Sequence, residues 1–190
     1  GSGFYCSFQI QTTAVNNGFF GLSNTSGTEL LQIKFSNFGA NTLGILIEDN
    51  AGLSLGGHCN ASIYDGNIHT VVITANPTTN VITITIDGSS KSITYDAQGT
   101  PATFVNFTRE FFLAANDNGS GNHFLACTLD NFQIGTSSSV LYGNYKMDEG
   151  SGTTTADSSG NGNTGTLVND TSPSTMWVQR HLASGRSLHP

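Results

Sequence analysis

HTVVITANPTTNVITITIDGSSKSITY, residues 69–95, alternates apolar and polar side chains on both sides of an NPTTN break. Val71 and Ile73 recur at every second position before it, and Ile82, Ile84 and Ile86 after it. A period of two puts these side chains on one face of a strand, so the stretch reads as a β-meander. NPTTN makes the first turn and Asp87-Gly88 begins the second, both from residues suited to special turn geometries. Strands with one apolar face need a second layer to cover it, and the expected fold is all-β, a two-sheet antiparallel β-sandwich.

Working outward, FYCSFQI, GFFGL, LLQIKFS, LGILIED, REFFLAAN, HFLACTLDNFQIG and VLYGNYKM read as further strands between Asn- and Gly-rich turns. No segment has helical periodicity with caps. Phe4, Phe8, Phe19, Phe35, Phe111, Phe124 and Phe132 take strand positions and are core candidates before they are ligand platforms. A chain of 190 residues fits one domain, placed at 1–178, and the loss of alternation after Trp177 makes 179–190 an extended tail.

Charged residues are only 10% of the chain, against roughly a quarter in ordinary domains. Asn, Thr, Ser and Gly fill the deficit, which points to many short strands and turns. The net charge of −7 leaves no electrostatic footprint for phosphate backbones, so nucleic acid is not an expected partner. No run of about 18 apolar residues occurs, and membrane insertion is not expected. GSGFYCSFQI lacks both an initiator Met and signal-peptide regions, which reads as a processed product or a fragment. Cys6, Cys59 and Cys127 allow either one disulfide with a thiol left over or three free thiols. The sequons at Asn24, Asn60, Asn106, Asn118 and Asn169 are the number expected by chance in so Asn-, Ser- and Thr-rich a chain.

MDEGSGTTTADSSGNGNTGTL, residues 147–167, raises the question of chemistry. Asp157, Ser159, Asn161 and Gly162 fall at positions 1, 3, 5 and 6 of a calcium-loop register, where oxygens on alternate residues converge and Gly allows the sharp turn. Position 12 is Val168 instead of a bidentate Glu, which excludes an EF-hand but not another calcium loop. Further oxygens must come from elsewhere, and Asp130, Asp148 and Glu149 are the available carboxylates. Asp130 interrupts an apolar strand, a costly place for an acid that is neither hydrogen-bonded nor metal-bound.

Enzyme patterns fail. GLSLG at 52–56 matches a nucleophile elbow without the strand-turn-helix context that motif needs, so Ser54 reads as structural. His58 and Cys59 are neighbours on a strand and point to opposite faces. The adjacent pair Glu48-Asp49 splits between faces in the same way, leaving no alternating carboxylates for glycoside hydrolysis. His69 reads as a turn-packing residue or a surface ligand.

Three segments together carry a family resemblance. DGNIHTVVITANPTTNVITITIDG resembles the W-H-x-V hairpin of laminin G-like domains, with Ile68 in place of Trp. FFLAANDNGSGNHFLACTLDNFQIG resembles a later strand pair of that family, with Asp130 at the family's Asp. YKMDEGSGTTTADSSGNGNTGTL is similar to the D-E-G-S-G … D-S-S-G-N-G-N segment of the concanavalin A-like lectin/glucanase superfamily, in its laminin G/pentraxin-like branch. The resemblance implies a jelly-roll sandwich with a structural calcium, held by Asp130, Glu149, Asp157, Asn161 and Asn163. The last segment normally opens such a domain, whereas here it follows the strand that normally closes one. The chain is then either circularly permuted or cut from a tandem array; permutation is preferred because terminal strands in sandwiches lie close together.

The expected function is a non-catalytic recognition or adhesion module for a glycan or a protein surface, working outside the cell, at its surface or on a virion. Tyr64, Asp65, Asn116, Asp117 and Asn118 are its candidate ligand residues. A structural subunit of a fibre, spike or decoration assembly, with homo-oligomer or virion packing, is the alternative, and a glycanase the third reading.

Overall fold

A computed structural model describes residues 3–15, 18–23, 30–49, 51–99 and 125–166. The period of two is already present in its first strand, β1 (Phe4–Gln11), which buries Phe4, Cys6, Phe8 and Ile10 and leaves the residues between them half-buried. The strands that follow are β2 (Gly18–Ser23), β3 (Leu30–Phe35), β4 (Thr42–Glu48), β5 (Ser54–Asn60), β6 (Ile68–Asn76) and β7 (Val81–Ile86). After them come β8 (Ser89–Ser90), β9 (Thr94–Gln98), β10 (Thr128–Ser137), β11 (Val140–Tyr145), β12 (Thr154–Thr155) and β13 (Gly165–Thr166). No helix occurs among the described residues.

One sheet has the order β11-β10-β1-β6-β7-β8 and a second the order β2-β3-β4-β5-β9, each pair antiparallel, with β12 and β13 forming a small hairpin beside them. The apolar faces of the two large sheets meet. Phe8 of the first sheet lies 5.5 Å from Phe20 and 6.2 Å from Phe35 of the second, ring centroid to centroid. Leu31, Ile33, Leu43, Ile45, Val71, Ile73 and Ile84 complete a core with no solvent exposure. Burying each such side chain contributes roughly 1.5–3 kcal/mol. The fold is therefore the expected antiparallel sandwich.

The hairpin of residues 69–95 forms as read: Val71 pairs with Ile86 and Ile73 with Ile84 across a turn at Pro77–Asn80. Its third segment is a correction. Ser89–Ser90 pairs with β7 for two residues only, after which the chain crosses to the other sheet and joins it as β9 beside β5. The crossing is anchored by Tyr95, whose hydroxyl accepts the Ile82 N–H at 3.1 Å. The strand on which His58 and Cys59 are neighbours is β5, although its SLGGHCN carries little alternation. HFLACTLDNFQIG enters its sheet only at Thr128. Of the core phenylalanines, Phe4, Phe8, Phe35 and Phe132 are buried, as is Phe20. Phe111 and Phe124, the side chain of Phe19, the expected strand REFFLAAN and the tail 179–190 lie outside what is described.

The thiols settle as three free cysteines. Burial raises the pKa of all three, Cys59 to about 11 and Cys127 to about 12, which disfavours the thiolate form.

Candidate functional site

The outer face of the five-stranded sheet gathers the most varied chemistry. Register places Lys34 opposite Gly44, Gly44 opposite His58 and His58 opposite Thr94, one row crossing four strands. At Gly44 the row has no side chain, and Phe38 from the β3–β4 connection occupies the space: a Cβ on Gly44 would meet Phe38 Cε2 at 3.1 Å. The Phe38 ring stacks on His58 with centroids 4.3 Å apart and planes 7° from parallel, and Lys34 Nζ sits 5.6 Å from its centroid. Both are known attractive arrangements for an aromatic ring.

His58 Nδ1 lies 2.8 Å from Asp96 Oδ2 on β9. A carboxylate can only accept, so Nδ1 carries the proton and Nε2 of the neutral ring is an acceptor. Two rows along the same face, beyond Leu46 and Gly56, Ser54 Oγ donates to Glu48 Oε2 at 2.8 Å. Burial pulls the Lys34 pKa below the ordinary lysine value, against the opposing pull of Asp96 and Glu48. Phe38 remains 36% exposed. Lys34, Phe38, His58 and Asp96 were not singled out together in the sequence, because only strand register brings them into one row.

The connection carrying Phe38 is held from below by Tyr64. That residue, read as a ligand candidate, is buried; its hydroxyl donates to the Thr42 carbonyl and accepts the Ser36 N–H at 3.1 Å. Tyr64 is thus a strut under the hairpin. Asn116, Asp117 and Asn118 lie outside the described residues.

Asp65 belongs to a clamp at the end of the other sheet. His69 Nε2 lies 3.0 Å from Asp65 Oδ1 and its Nδ1 2.7 Å from Asp87 Oδ2, so the imidazole joins the turn before β6 to the turn after β7. Both ring nitrogens face carboxylates, and only the doubly protonated ring can donate to both. Burial works against the charged ring, but the hydrogen bonds and charges of Asp87 and Asp65 outweigh it, and the His69 pKa is raised. Asp65, hydrogen-bonded to His69 and to Asn67, is held down at about 2, and Asp87, which also faces Lys91, is lowered. A raised histidine pKa stabilises the fold fully below the unfolded value near 6.5 and loses that contribution as pH rises through the folded pKa. The carboxylates contribute above their unfolded value of 3.8 and lose it as pH falls toward their folded pKa values. The clamp is therefore complete between about pH 4 and pH 6.5. Melting temperature is expected to fall on either side of that window in wild type, with the alkaline-side fall reduced in His69→Gln; equal slopes above pH 6.5 in the two proteins contradict this.

The proposed metal residues gather only in part. Asp157 bridges to Tyr145 of β11, and its carboxylate is fully engaged. Oδ1 accepts the N–H groups of Asn144 at 3.0 Å and Ser159 at 2.8 Å; Oδ2 accepts the Asn163 N–H at 2.9 Å and the Ser159 hydroxyl at 2.8 Å. Partial burial would raise the Asp157 pKa, yet these bonds outweigh it and hold it below the usual carboxylate range. Asn161 and Asn163 point their nitrogens inward, Nδ2 donating to the Leu141 carbonyl at 2.8 Å and to the Tyr142 carbonyl at 2.7 Å. Glu149 Oε1 accepts the Ala156 N–H at 2.8 Å. Asp130 is half-buried, outside the core, opposite Gln9 of β1, and its Oδ1 accepts the Asn131 N–H at 2.9 Å. Among the described residues no three His, Cys, Asp or Glu side chains come together as a metal would require. In this arrangement the Asp157 carboxylate and the two asparagine amides are spent on hydrogen bonds within the loop and to β11.

No protein-family model matches the chain, and no curated protein is similar to it in sequence. Solved structures share its fold. A Bacteroides ovatus protein that carries carbohydrate binding in its name matches with a TM-score of 0.60 at 15% identity, over 88% of this chain and 54% of that one. The CBM40 of the Ruminococcus gnavus IT-sialidase, bound to α2,3-sialyllactose, matches with a TM-score of 0.50 at 13% identity, over 72% of this chain and 76% of that one. The LG1–3 region of the laminin α2 chain matches with a TM-score of 0.50 at 11% identity, over 74% of this chain and 28% of that one. The chain thus spans about half of the Bacteroides ovatus protein and little more than a quarter of the laminin region. The fold is that of the concanavalin A-like lectins and laminin G-like domains.

Proposed function

We propose that this chain is a non-catalytic recognition module that binds a neutral glycan across β3, β4 and β5. The observation that carries the reading is the Phe38 ring, held over Gly44 between Lys34 and His58 and left partly exposed. A sugar presents hydroxyls that both donate and accept, and C–H surfaces that pack on aromatic rings. Lys34 supplies donors, His58 Nε2 an acceptor in the tautomer Asp96 imposes, and the carboxylates further acceptors. One cation beside the two carboxylates of Asp96 and Glu48 leaves no excess positive charge, which disfavours an anionic ligand. The groups are fixed on strands, and holding them ready lowers the cost of binding.

The likeness to a Bacteroides ovatus protein named for carbohydrate binding supports the same class of ligand. Such a module works where glycans are met, outside the cell, at a cell surface or on a virion. The test is an array of neutral oligosaccharides followed by calorimetry on the best ligand. Wild type is expected to bind, and Phe38→Ala to lose at least about tenfold in affinity, equivalent to about 1.4 kcal/mol. Val81→Ala, an exposed change on the other sheet, is expected to bind as wild type. A stable oligomer that binds no glycan supports the structural-subunit reading instead, and turnover of a glycan overturns the non-catalytic one.

A further inference from the structure

The donor set around Asp157 has a use of its own. Among the described residues β11 is the outermost strand of its sheet, and one of its edges has no partner strand among them. Exposed strand edges invite pairing with another chain, and proteins cover or blunt them. Here the loop after β11 returns along that edge. Asp157 takes the Asn144 N–H; the Ser158 N–H reaches the Asn144 carbonyl at 2.7 Å; Asn161 and Asn163 reach the carbonyls of Leu141 and Tyr142. The Tyr145 hydroxyl answers by donating to the Asn163 carbonyl at 2.6 Å. Side-chain amides and one carboxylate thus satisfy an edge that a neighbouring strand's backbone would otherwise satisfy.

We propose that residues 149–163 are a self-fastened cover for the β11 edge, with Asp157 as its hub, and that the loop holds its shape without a cation. Alternate residues converge here as the calcium-like spacing demands, but on one another: Ser159 Oγ lies 2.8 Å from Asp157 Oδ2 and 3.0 Å from Asn161 Nδ2. The four acceptor positions of a carboxylate are already filled at Asp157 by four donors. Asn163 faces the strand with a nitrogen, which a cation cannot use. Positive φ at Gly160 (89°) and Gly162 (74°) provides the tight reversals that bring these groups back to the strand.

Melting curves in EDTA and in millimolar calcium, for wild type, Asp157→Asn and Asn163→Asp, decide the matter. Wild type is expected to melt at the same temperature in both conditions. Asp157→Asn loses acceptor capacity and is expected to melt roughly 5 °C lower, equally in both. Asn163→Asp is the sharper variant, because it keeps an oxygen for a cation and removes only the donor to Tyr142. It is expected to melt below wild type with no rescue by calcium. Hydrogen exchange at the Asn144 and Ser158 amides is expected to stay slow in EDTA. A calcium-dependent rise in the wild-type melting temperature that Asp157→Asn abolishes, or an Asn163→Asp protein as stable as wild type, overturns the proposal.

Discussion

Phe8→Ala is expected to cost about 3–5 kcal/mol of unfolding free energy, the range for emptying an aromatic site in a packed core. Phe8 has no solvent exposure, and its ring neighbours come from both sheets: Phe20 and Phe35 from the second, and Phe132, at 6.3 Å, from the first. Removing the ring takes a partner from three aromatics at once. Those neighbours sit on paired strands, which limits how far the site can collapse. Urea unfolding checks this through a lower midpoint at unchanged slope, and Phe8→Leu is expected to recover part of the loss. A loss below about 1.5 kcal/mol, the size of a volume-conserving swap, shows that the sheets are not joined at Phe8.

Gly44→Ala is expected to abolish most of the glycan affinity while the chain still folds. The added Cβ would lie 2.9 Å from the Gly57 carbonyl oxygen, 3.0 Å from His58 Cβ and 3.1 Å from Phe38 Cε2. The 2.9 Å contact forces β4 and β5 to shift slightly apart, and the Phe38 ring, carried by a connection and stacked on His58, is displaced with them. Strain of this kind costs about 1–3 kcal/mol of stability. The affinity loss is expected to match that of Phe38→Ala, roughly tenfold or more, because both changes remove the same ring. The double variant is therefore expected to bind no worse than either single one, a non-additivity that calorimetry can measure. Wild-type affinity in a folded Gly44→Ala protein removes Phe38 from the site.

Elements whose inner face is apolar throughout were legible in the sequence. β6 and β7 bury every second residue, so the period of two printed itself into residues 69–95. β5 was legible only at His58 and Cys59, because Gly56 and Gly57 present no side chain to alternate. Their space belongs to neighbours: a Cβ on Gly56 would meet Leu46 Cδ1 at 3.0 Å, and one on Gly57 would meet Ile93 Cγ2 at 2.8 Å. His58 and Cys59 were correctly split between faces, with Cys59 buried and His58 turned toward Asp96. What the sequence withheld was the row to which His58 belongs. Lys34, Gly44 and His58 are separated by ten and fourteen positions and become neighbours only through the pairing of β3, β4 and β5. In the loop after β11, spacing revealed that the side chains converge. It did not reveal that the asparagines turn their nitrogens inward, because an amide offers oxygen and nitrogen from the same position.

Asn161 is followed by Gly162, the dipeptide in which a backbone nitrogen most readily attacks the preceding side-chain amide, closes a succinimide and releases ammonia. In the folded loop that amide is tethered through Nδ2 to the carbonyls of Leu141 and Tyr142 and to Ser159 Oγ, which restrains it from the geometry of ring closure. Once hydrolysed, the product is an aspartate or isoaspartate with no N–H to return to Leu141, so the loop cannot refasten as before. The bonds that cover the strand edge thereby also restrain the side chain whose loss would undo them.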